Sequence, residues 1–258
     1  MAQLLQEERN DVLLMTINRP EAHNAVSNAL AAEMTAAVEK AGERRDLRAV
    51  IMTGAGERAF CAGADLKERR AMNPDEKWAQ RTRLWRLHCL LWRLPMPAIA
   101  AIHGWCLGGG FELALFCDFR LATDQAVFSF PEMSLGAYPG AGGPILLPRL
   151  IGRARAKEIL FSARQVTAQE ALSLGIVEWI VSREQLLPRA FELAESFKRS
   201  SPLGVAGVKR LINQGADLPI DLASDLNEAL RRPLEATRDY EEGIRAHFEK
   251  RAPVFRGE

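Results

Sequence analysis

Two acids in apolar surroundings and a run of three glycines are the residues best suited to chemistry in this 258-residue sequence. Glu112 follows Gly108-Gly109-Gly110 and opens an apolar segment, and Glu132 follows Pro131 in an apolar loop. Burial and mutual repulsion can set apart the pKa values of two such carboxyl groups, which suits them to acid and base roles. Each acid alone is also typical of the first turn of a helix, where it complements the helix dipole. The pattern therefore predicts either an acid–base pair or two helix-capping acids.

Two loops of small residues could place backbone N–H groups near these acids. The apolar run Ala98 to Ile102 predicts a buried strand, and the glycines predict the turn from this strand into a helix. The segment Phe60 to Arg70 repeats the arrangement, with a buried strand at Ala49 to Thr53 before it and a helix start at Asp65. Glycine allows close approach of a ligand, and the first N–H groups of a helix have no internal partner. Each loop could therefore donate one N–H group to the same ligand atom.

Other chemical classes fit the motifs less well. Gly108-x-Gly110 after a strand suggests dinucleotide binding, but the third glycine of that fingerprint would fall at Leu113, and two strand–helix units precede it. The sequence contains no G-x-S-x-G elbow, no P-loop lysine and no zinc-ligand spacing. The carboxyl groups remain the best candidates for chemistry.

Composition indicates an ordinary globular protein without a charged partner. The formal net charge is +1, with 48% hydrophobic and 26% charged residues, so nothing favours nucleic acid or an acidic membrane. The four cysteines form no C-x-x-C pair and predict reduced thiols in the cytoplasm, and the four scattered histidines predict no metal site. The first residues lack an apolar signal segment and no run is long enough to span a membrane, so we expect a soluble chain.

The order of the predicted elements indicates an α/β or α+β fold with a helical tail. Asn10-Asp11 predicts the turn of a hairpin between Gln3 to Glu8 and Val12 to Asn18, and Ser27 predicts the cap of a helix that runs to about Gly42. We expect a core at residues 1–199 and a helical region at 200–258, with one last strand at 176–181 before it. The tail is predicted to contain three helices, Pro202 to Asn213, Pro219 to Arg231 and Pro233 to Lys250.

Several long motifs occur in order along the chain, namely Asn18 to Pro20, Phe60 to Lys67, Ala101 to Gly104, Leu107 to Ala114, Pro131-Glu132, Pro139 to Gly143, Phe161 to Arg164, Ile212 to Gly215 and Phe248 to Arg251. On these motifs the chain resembles the enoyl-CoA hydratase (crotonase) family over nearly its whole length, and within that family the methylglutaconyl-CoA hydratase branch. The resemblance implies a spiral of strand-strand-helix units, a helical region that packs at a trimer interface, and trimers that commonly pair into hexamers. It also implies a role in fatty acid metabolism with no cofactor beyond the CoA of the substrate.

The resemblance also assigns roles to individual residues. Ala64 and Gly109 would donate their N–H groups to the thioester carbonyl of a 2-enoyl-CoA, forming an oxyanion hole. Glu112 and Glu132 would hold a water for addition at C3 and deliver a proton to C2. Lys250 would reach CoA across a subunit boundary. The remaining contacts to CoA would come from Ala22, Ala62, Asp65, Leu66 and Lys67.

The chain departs from the usual hydratase pattern in the loop expected to line the acyl pocket, at Tyr138, Pro139 and Gly140 and at the following Gly143 to Leu146. Tyrosine in place of an aliphatic residue adds bulk and a hydroxyl, so we expect a short, branched, cyclic or oxygen-bearing acyl group. Two alternatives stay open. One is a Δ3-Δ2 enoyl-CoA isomerase, and the other is a non-catalytic or RNA-binding member, although the helix Ser27 to Lys40 lacks a lysine-rich face.

Overall fold

The computed structural model describes residues 2–258, which begin with an antiparallel hairpin. Strand β1 (Leu4–Arg9) pairs with β2 (Val12–Ile17) along its whole length. Asn10 and Asp11 form the turn with φ angles of 50° and 59°. Asparagine and aspartate tolerate this left-handed conformation better than most residues, which confirms the predicted hairpin.

Eight further strands follow the hairpin: β3 (Ala49–Gly54), β4 (Ala59–Cys61), β5 (Ala98–Ile102), β6 (Trp105–Leu107), β7 (Phe119–Thr123), β8 (Val127–Ser129), β9 (Val166–Thr167) and β10 (Trp179–Val181). They form three successive pairs, β3/β4, β5/β6 and β7/β8, and two last strands. The first strand of each pair joins a six-stranded sheet of order β1-β2-β3-β5-β7-β10, and the second joins a four-stranded sheet of order β4-β6-β8-β9. Parallel pairing between successive units means that corresponding strand ends meet at the same edge of each sheet.

Helices separate these strand pairs and make up the C-terminal region. Ser27 caps the first helix by accepting the Leu30 N–H at 3.1 Å, as its sequence predicts. The helices are α1 (Asn28–Glu43), α2 (Leu66–Arg70), α3 (Pro74–Trp92), α4 (Gly109–Leu115), α5 (Gly143–Ile151), α6 (Arg153–Ser162), α7 (Ala168–Leu174), α8 (Leu186–Phe197), α9 (Pro202–Gly215), α10 (Ile220–Arg231) and α11 (Arg238–Phe248). No helix within residues 2–258 has both the length and the apolar character that crossing a membrane requires.

The six-stranded sheet has apolar packing on both faces. Every residue of β3 and β5 is buried, as expected for central parallel strands. One face contributes to the main core, which includes residues of α1, α3 and α4. The other face packs against α8 through Leu186, Ala190 and Ala194. The strand ends that carry the candidate site are therefore held by a rigid, buried scaffold.

The structure corrects three element predictions. The glycines do not follow β5 directly, because the three-residue strand β6 lies between them. The last strand occupies only Trp179–Val181 rather than 176–181. The final helix begins at Arg238 rather than at Pro233, because Arg232–Ala236 forms a separate 3₁₀ turn with the proline in its first turn. Proline favours the first turn of a helical segment. Pro233 has this position in the 3₁₀ turn and not in the long helix.

Candidate active site

Glu112 is a buried carboxyl group in the first turn of α4, held by backbone N–H groups. Its side chain is 2% exposed, and its Oε1 accepts hydrogen bonds from the N–H groups of Ala141 and Gly143, each at 2.8 Å. Burial raises the pKa of Glu112 to about 7; the negative charge of Glu132 adds to this effect, and the two N–H groups oppose it. A carboxyl group with such a pKa can exchange a proton in either direction near neutral pH.

Glu132 lies against Gly108, the residue that immediately precedes α4. It belongs to the 3₁₀ turn Pro131–Leu135, and a Cβ placed on Gly108 would come within 2.9 Å of its Oε2. Gly108 has a φ of 50°, so glycine both adopts the turn and leaves room for the carboxylate. Burial raises the pKa of Glu132 as well. The two acids predicted from the sequence thus meet at the start of α4.

The two loops of small residues adjoin beside these acids. A Cβ on Gly63, whose φ is +86°, would come within 2.8 Å of the Gly109 nitrogen. The Val26 N–H bonds to Gly63 O at 2.7 Å and the Asp65 N–H bonds to Val26 O at 3.0 Å, which fixes the peptide groups on both sides of Ala64.

The N–H groups of Ala64 and Gly109 are both free within the described chain. Neither donates a hydrogen bond to any of residues 2–258, and Gly109 is the first residue of α4, where no internal acceptor exists. Two free donors in adjoining loops can bind one polarised oxygen atom. This is the arrangement that an oxyanion hole requires.

Two side chains of α3 hold the loop that carries the N–H partners of Glu112. Arg81 Nε donates to the Gly140 carbonyl oxygen at 2.8 Å. His88 Nδ1 donates to the Ala141 carbonyl oxygen at 3.0 Å, since a carbonyl oxygen can only accept. Burial lowers the pKa of His88 to about 4, so the imidazole is neutral. His88 therefore positions the Glu112 carboxyl through the backbone of Ala141.

Sequence reasoning missed both of these residues. The contacts join positions 59 and 53 residues apart, and no short motif carries such a distance. One signal did exist for Arg81. Trp78, Arg81 and Trp85 follow helical spacing, which places the arginine between two tryptophans on one face of α3.

Most of the predicted CoA contacts lie in or beside the loop that contains Ala64. The Ala62 N–H donates to the His23 carbonyl oxygen at 3.0 Å, which brings the neighbouring Ala22 next to this loop. Leu66 and Lys67 begin α2 with exposed side chains. These positions therefore lie in one stretch of the structure beside Ala64, and their contacts with CoA stay a prediction.

Asp65 has a structural role within that stretch. Its side chain caps α2 by accepting the N–H groups of Lys67 and Glu68 at 3.0 and 3.2 Å. It also pairs with Arg19 at 2.9 Å. Its backbone N–H and carbonyl groups are also bonded, to Val26 and Arg69, so a contact of Asp65 with CoA stays a prediction.

The other predicted binding residues are more exposed. The Lys250 ammonium, just beyond α11, makes no hydrogen bond or ion pair with residues 2–258. Tyr138 is 70% exposed, whereas Pro139 is buried and Gly140 half-buried in the same loop. Ligand contacts of Lys250 and of this loop remain predictions.

Within residues 2–258, the cysteines form no nucleophilic site and the metal-binding side chains form no metal site. All four cysteines are free thiols, and burial raises the pKa of Cys61, the one closest to the loops, to about 12. A neutral buried thiol is a poor nucleophile. No group of three or more His, Cys, Asp or Glu residues within residues 2–258 is placed to hold a metal ion.

Comparisons with known proteins agree with this architecture. The profile of the enoyl-CoA hydratase/isomerase family matches residues 7–258. YngF of Bacillus subtilis (strain 168), provisionally named an enoyl-CoA hydratase/isomerase, is 41% identical over 254 residues that cover 98% of each chain. The mitochondrial methylglutaconyl-CoA hydratase of Mus musculus is 36% identical over 258 residues, which cover 98% of this chain and 82% of the mouse protein. The crystal structure of an enoyl-CoA hydratase from Bacillus anthracis superimposes with a TM-score of 0.97 at 38% identity, covering 100% of both chains. The predicted spiral fold is thereby confirmed.

Proposed function

Because the chain belongs to the enoyl-CoA hydratase/isomerase family, we propose that it is a hydro-lyase that adds water across the C2=C3 bond of a 2-enoyl-CoA thioester. One observation carries the proposal. The buried Glu112 and the half-buried Glu132 meet beside the N–H groups of Ala64 and Gly109, which have no partner within residues 2–258. Each half of this arrangement corresponds to one chemical requirement of the reaction.

The backbone donors stabilise the charge that develops on the thioester. When water attacks C3, electron density moves through C2 to the carbonyl oxygen, which becomes enolate-like. The N–H groups of Ala64 and Gly109 bind this oxygen more strongly as its charge grows. Each donor of this kind typically contributes roughly 3 kcal/mol of transition-state stabilisation.

The acids handle the two protons of the reaction. The oxygen of the water bonds to C3 while one acid takes a proton from that water, and a proton passes from the acid pair to C2. Over one cycle the pair gains and loses one proton, so it returns to its starting state. The pKa of about 7 at Glu112 lets the pair carry a single shared proton near neutral pH.

Coenzyme A would bind along the stretch formed by Ala22, Ala62, Asp65, Leu66 and Lys67, largely through backbone groups. Lys250 would reach the CoA of a neighbouring subunit, and its ammonium is available for this contact because it has no ion-pair partner within residues 2–258. The reaction as written needs no metal ion and no redox cofactor. We propose the substrate's own CoA as the only coenzyme.

Isomerisation of a 3-enoyl-CoA is the second candidate, because the family name and the name of YngF include it. Moving a double bond needs one well-placed base, whereas hydration uses two acids around a water. Glu112 and Glu132 lie together at the start of α4, and this arrangement favours hydration. Crotonyl-CoA tests this directly: a hydratase removes the ultraviolet absorbance of the conjugated enoyl thioester, and an isomerase that cannot add water leaves it unchanged.

The C-terminal helices support a proposal on assembly. They expose many large apolar side chains, as expected for a surface that a partner covers. We propose a homotrimer or a dimer of trimers in the cytoplasm, where reduced thiols persist. Light scattering measures the assembly state, and a stable, active monomer would refute the proposal. Deletion from Ser200 onward should leave a dissociated or insoluble core. The exposed residues are Val208 (58%), Ile212 (62%), Ile220 (81%), Leu222 (55%), Ile244 (45%) and Phe248 (80%) of these helices, together with Val254 (62%) in the segment after α11.

A further inference from the structure

Two phenylalanine rings pack against the loop that donates N–H groups to Glu112. The loop residues Gly142 and Gly143 are buried, and neither has room for a side chain. A Cβ placed on Gly142 would come within 2.6 Å of Cζ of Phe116, and a Cβ placed on Gly143 would come within 2.9 Å of Cε1 of Phe130. Each ring therefore lies directly against the backbone of one glycine.

The peptide group between these two glycines is one of the two that bind Glu112. Its N–H is that of Gly143, which bonds to Glu112 Oε1 at 2.8 Å. A peptide group is planar, so fixing both of its ends also fixes the direction of its N–H. One end lies against the ring of Phe116 and the other against the ring of Phe130. These two rings form an aromatic clamp on the peptide.

Each ring of the aromatic clamp comes from a segment that also carries one of the acids. Phe116 lies one helical turn after Glu112, and its N–H bonds to the Glu112 carbonyl oxygen at 3.2 Å. Phe130 lies two residues before Glu132 and directly precedes the 3₁₀ turn that contains it. The clamp thus links the backbone positions of both acids to the glycine loop.

Further aromatic side chains hold the clamp in place. The ring centre of Phe116 lies 5.2 Å from that of His88 and 5.8 Å from that of Trp92. Phe130 stacks on Phe111, with ring centres 4.7 Å apart and planes inclined by 19°. Because protein interiors are closely packed, a smaller side chain at either clamp position would leave space into which the glycines could move.

We propose that Phe116 and Phe130 are positioning residues, which hold the Gly142–Gly143 peptide in the orientation that binds the Glu112 carboxylate. Glycine backbone is flexible, and Gly142 has a φ of 120°, so the loop depends on outside contacts for a fixed orientation. N–H donors favour the ionised form of a carboxyl group. Without the clamp, these bonds weaken and Glu112 holds its proton more tightly. This inference rests on the proposed hydratase function and names residues that prepare its acid.

Phe116→Leu and Phe130→Leu test the clamp, with crotonyl-CoA as the substrate. Leucine keeps the position apolar but lacks the ring atoms that reach each glycine. Each variant should lower kcat by about 10- to 100-fold, because the acid is misplaced. The profile of kcat/KM against pH should also move to higher pH by about one unit, since each backbone N–H bond lowers the pKa of a carboxyl group by roughly this amount. KM should change little, because the predicted CoA contacts lie in other loops.

Phe128→Leu is the matched control. Phe128 is also a fully buried ring, with its centre 5.2 Å from that of Phe111, but it is not among the atoms nearest to a Cβ on Gly142 or Gly143. This variant should lower Tm and leave the pH profile unchanged. Phe116→Met should shift the profile less than Phe116→Leu, because methionine is flexible and fills irregular space.

The outcomes separate a positioning role from simple core packing. If both leucine variants lose as much Tm as Phe128→Leu but keep the wild-type pH profile, the rings only fill the core and the proposal is overturned. If a leucine variant does not fold, Phe116→Met and Phe130→Met supply the same comparison, and two unshifted profiles overturn the proposal.

Failure of the proposed function would be visible separately. A wild type that does not act on crotonyl-CoA would overturn the hydratase function. The clamp can still be tested, because infrared titration measures the carbonyl band of protonated carboxyl groups, and the spectrum of Glu112→Gln identifies the contribution of Glu112. An infrared pKa of Glu112 that neither Phe116→Leu nor Phe130→Leu raises would overturn the clamp.

Discussion

Replacement of Glu112 by glutamine should make the protein more stable while it removes catalysis. The glutamine carbonyl oxygen can still accept the N–H groups of Ala141 and Gly143, so the local structure has no reason to change. What disappears is a carboxyl group that burial has shifted to a pKa of about 7, from its usual 4.5. The folded state holds this proton more tightly than the unfolded state does.

The sign of the effect follows from proton linkage. Between pH 4.5 and pH 7 the unfolded chain releases the Glu112 proton while the folded chain retains it, so stability falls as the pH rises through this window. Above pH 7 the ionised Glu112 destabilises the folded state by its full amount. A shift of this size corresponds to about 3 kcal/mol at pH 8 and to less than about 1 kcal/mol at pH 5. Relative to wild type, the free energy of unfolding of Glu112→Gln should therefore rise by about 2 to 3 kcal/mol from pH 5 to pH 8.

Thermal denaturation at pH 5 and pH 8 measures this gain. In a chain of this size it corresponds to roughly 4 to 12 °C in Tm, provided that both proteins are compared at one concentration because assembly also affects Tm. Glu158→Gln is the matched control, since Glu158 is an exposed acid whose pKa is lowered by Arg164. The control should show no gain at pH 8. An equal stability difference between Glu112→Gln and wild type at both pH values would refute the raised pKa and, with it, the desolvated setting of the acid.

Three other expectations follow from the same geometry. Glu132→Gln should lower kcat by about 10²- to 10⁴-fold, and its combination with Glu112→Gln should fall far short of additivity; additive losses would mean that the acids act on separate steps. Gly110→Ala would place its Cβ 2.1 Å from a backbone carbonyl oxygen and should abolish soluble protein, whereas Gly42→Ala, whose nearest neighbour is a side-chain atom at 3.5 Å, should express normally. Tyr138→Ile should change the chain-length profile over a panel of enoyl-CoA substrates, and an unchanged profile would remove Tyr138 from the acyl pocket.

The sequence was most informative where chemistry and backbone geometry depend on neighbouring residues. The turn at Asn10-Asp11 and the helix cap at Ser27 are local features, and the structure has both. The approach of Glu112 to Glu132 could also be anticipated, because successive units repeat and their parallel strands end at one edge. Glycine at 108 has a physical reason that only the structure reveals, namely the carboxylate of Glu132 packed against it.

The failures have equally specific causes. Strands β4 and β6 contain three residues each, which is too few to show an alternating pattern. The sequence therefore predicts the glycine turn directly after β5, where the structure has β6. Helical periodicity places Trp78, Trp85 and Trp92 on α3 but does not distinguish their surroundings. Trp85 and Trp92 pack against the main core, whereas Trp78 is 67% exposed and flanks Arg81. Periodicity gives the face on which a side chain lies, but it does not say what that face meets.

The hydrogen bonds around the Gly140–Ala141 peptide connect α3 to the candidate catalytic acid Glu112. Its carbonyl oxygen accepts from Arg81, and its N–H orients Glu112. A substitution at position 81 can therefore move the Glu112 carboxyl group. His88 limits this movement, because it holds the next carbonyl from the buried side of α3. Loss of either α3 contact should thus lower kcat by displacing the N–H group that holds Glu112, without removing a group that reacts.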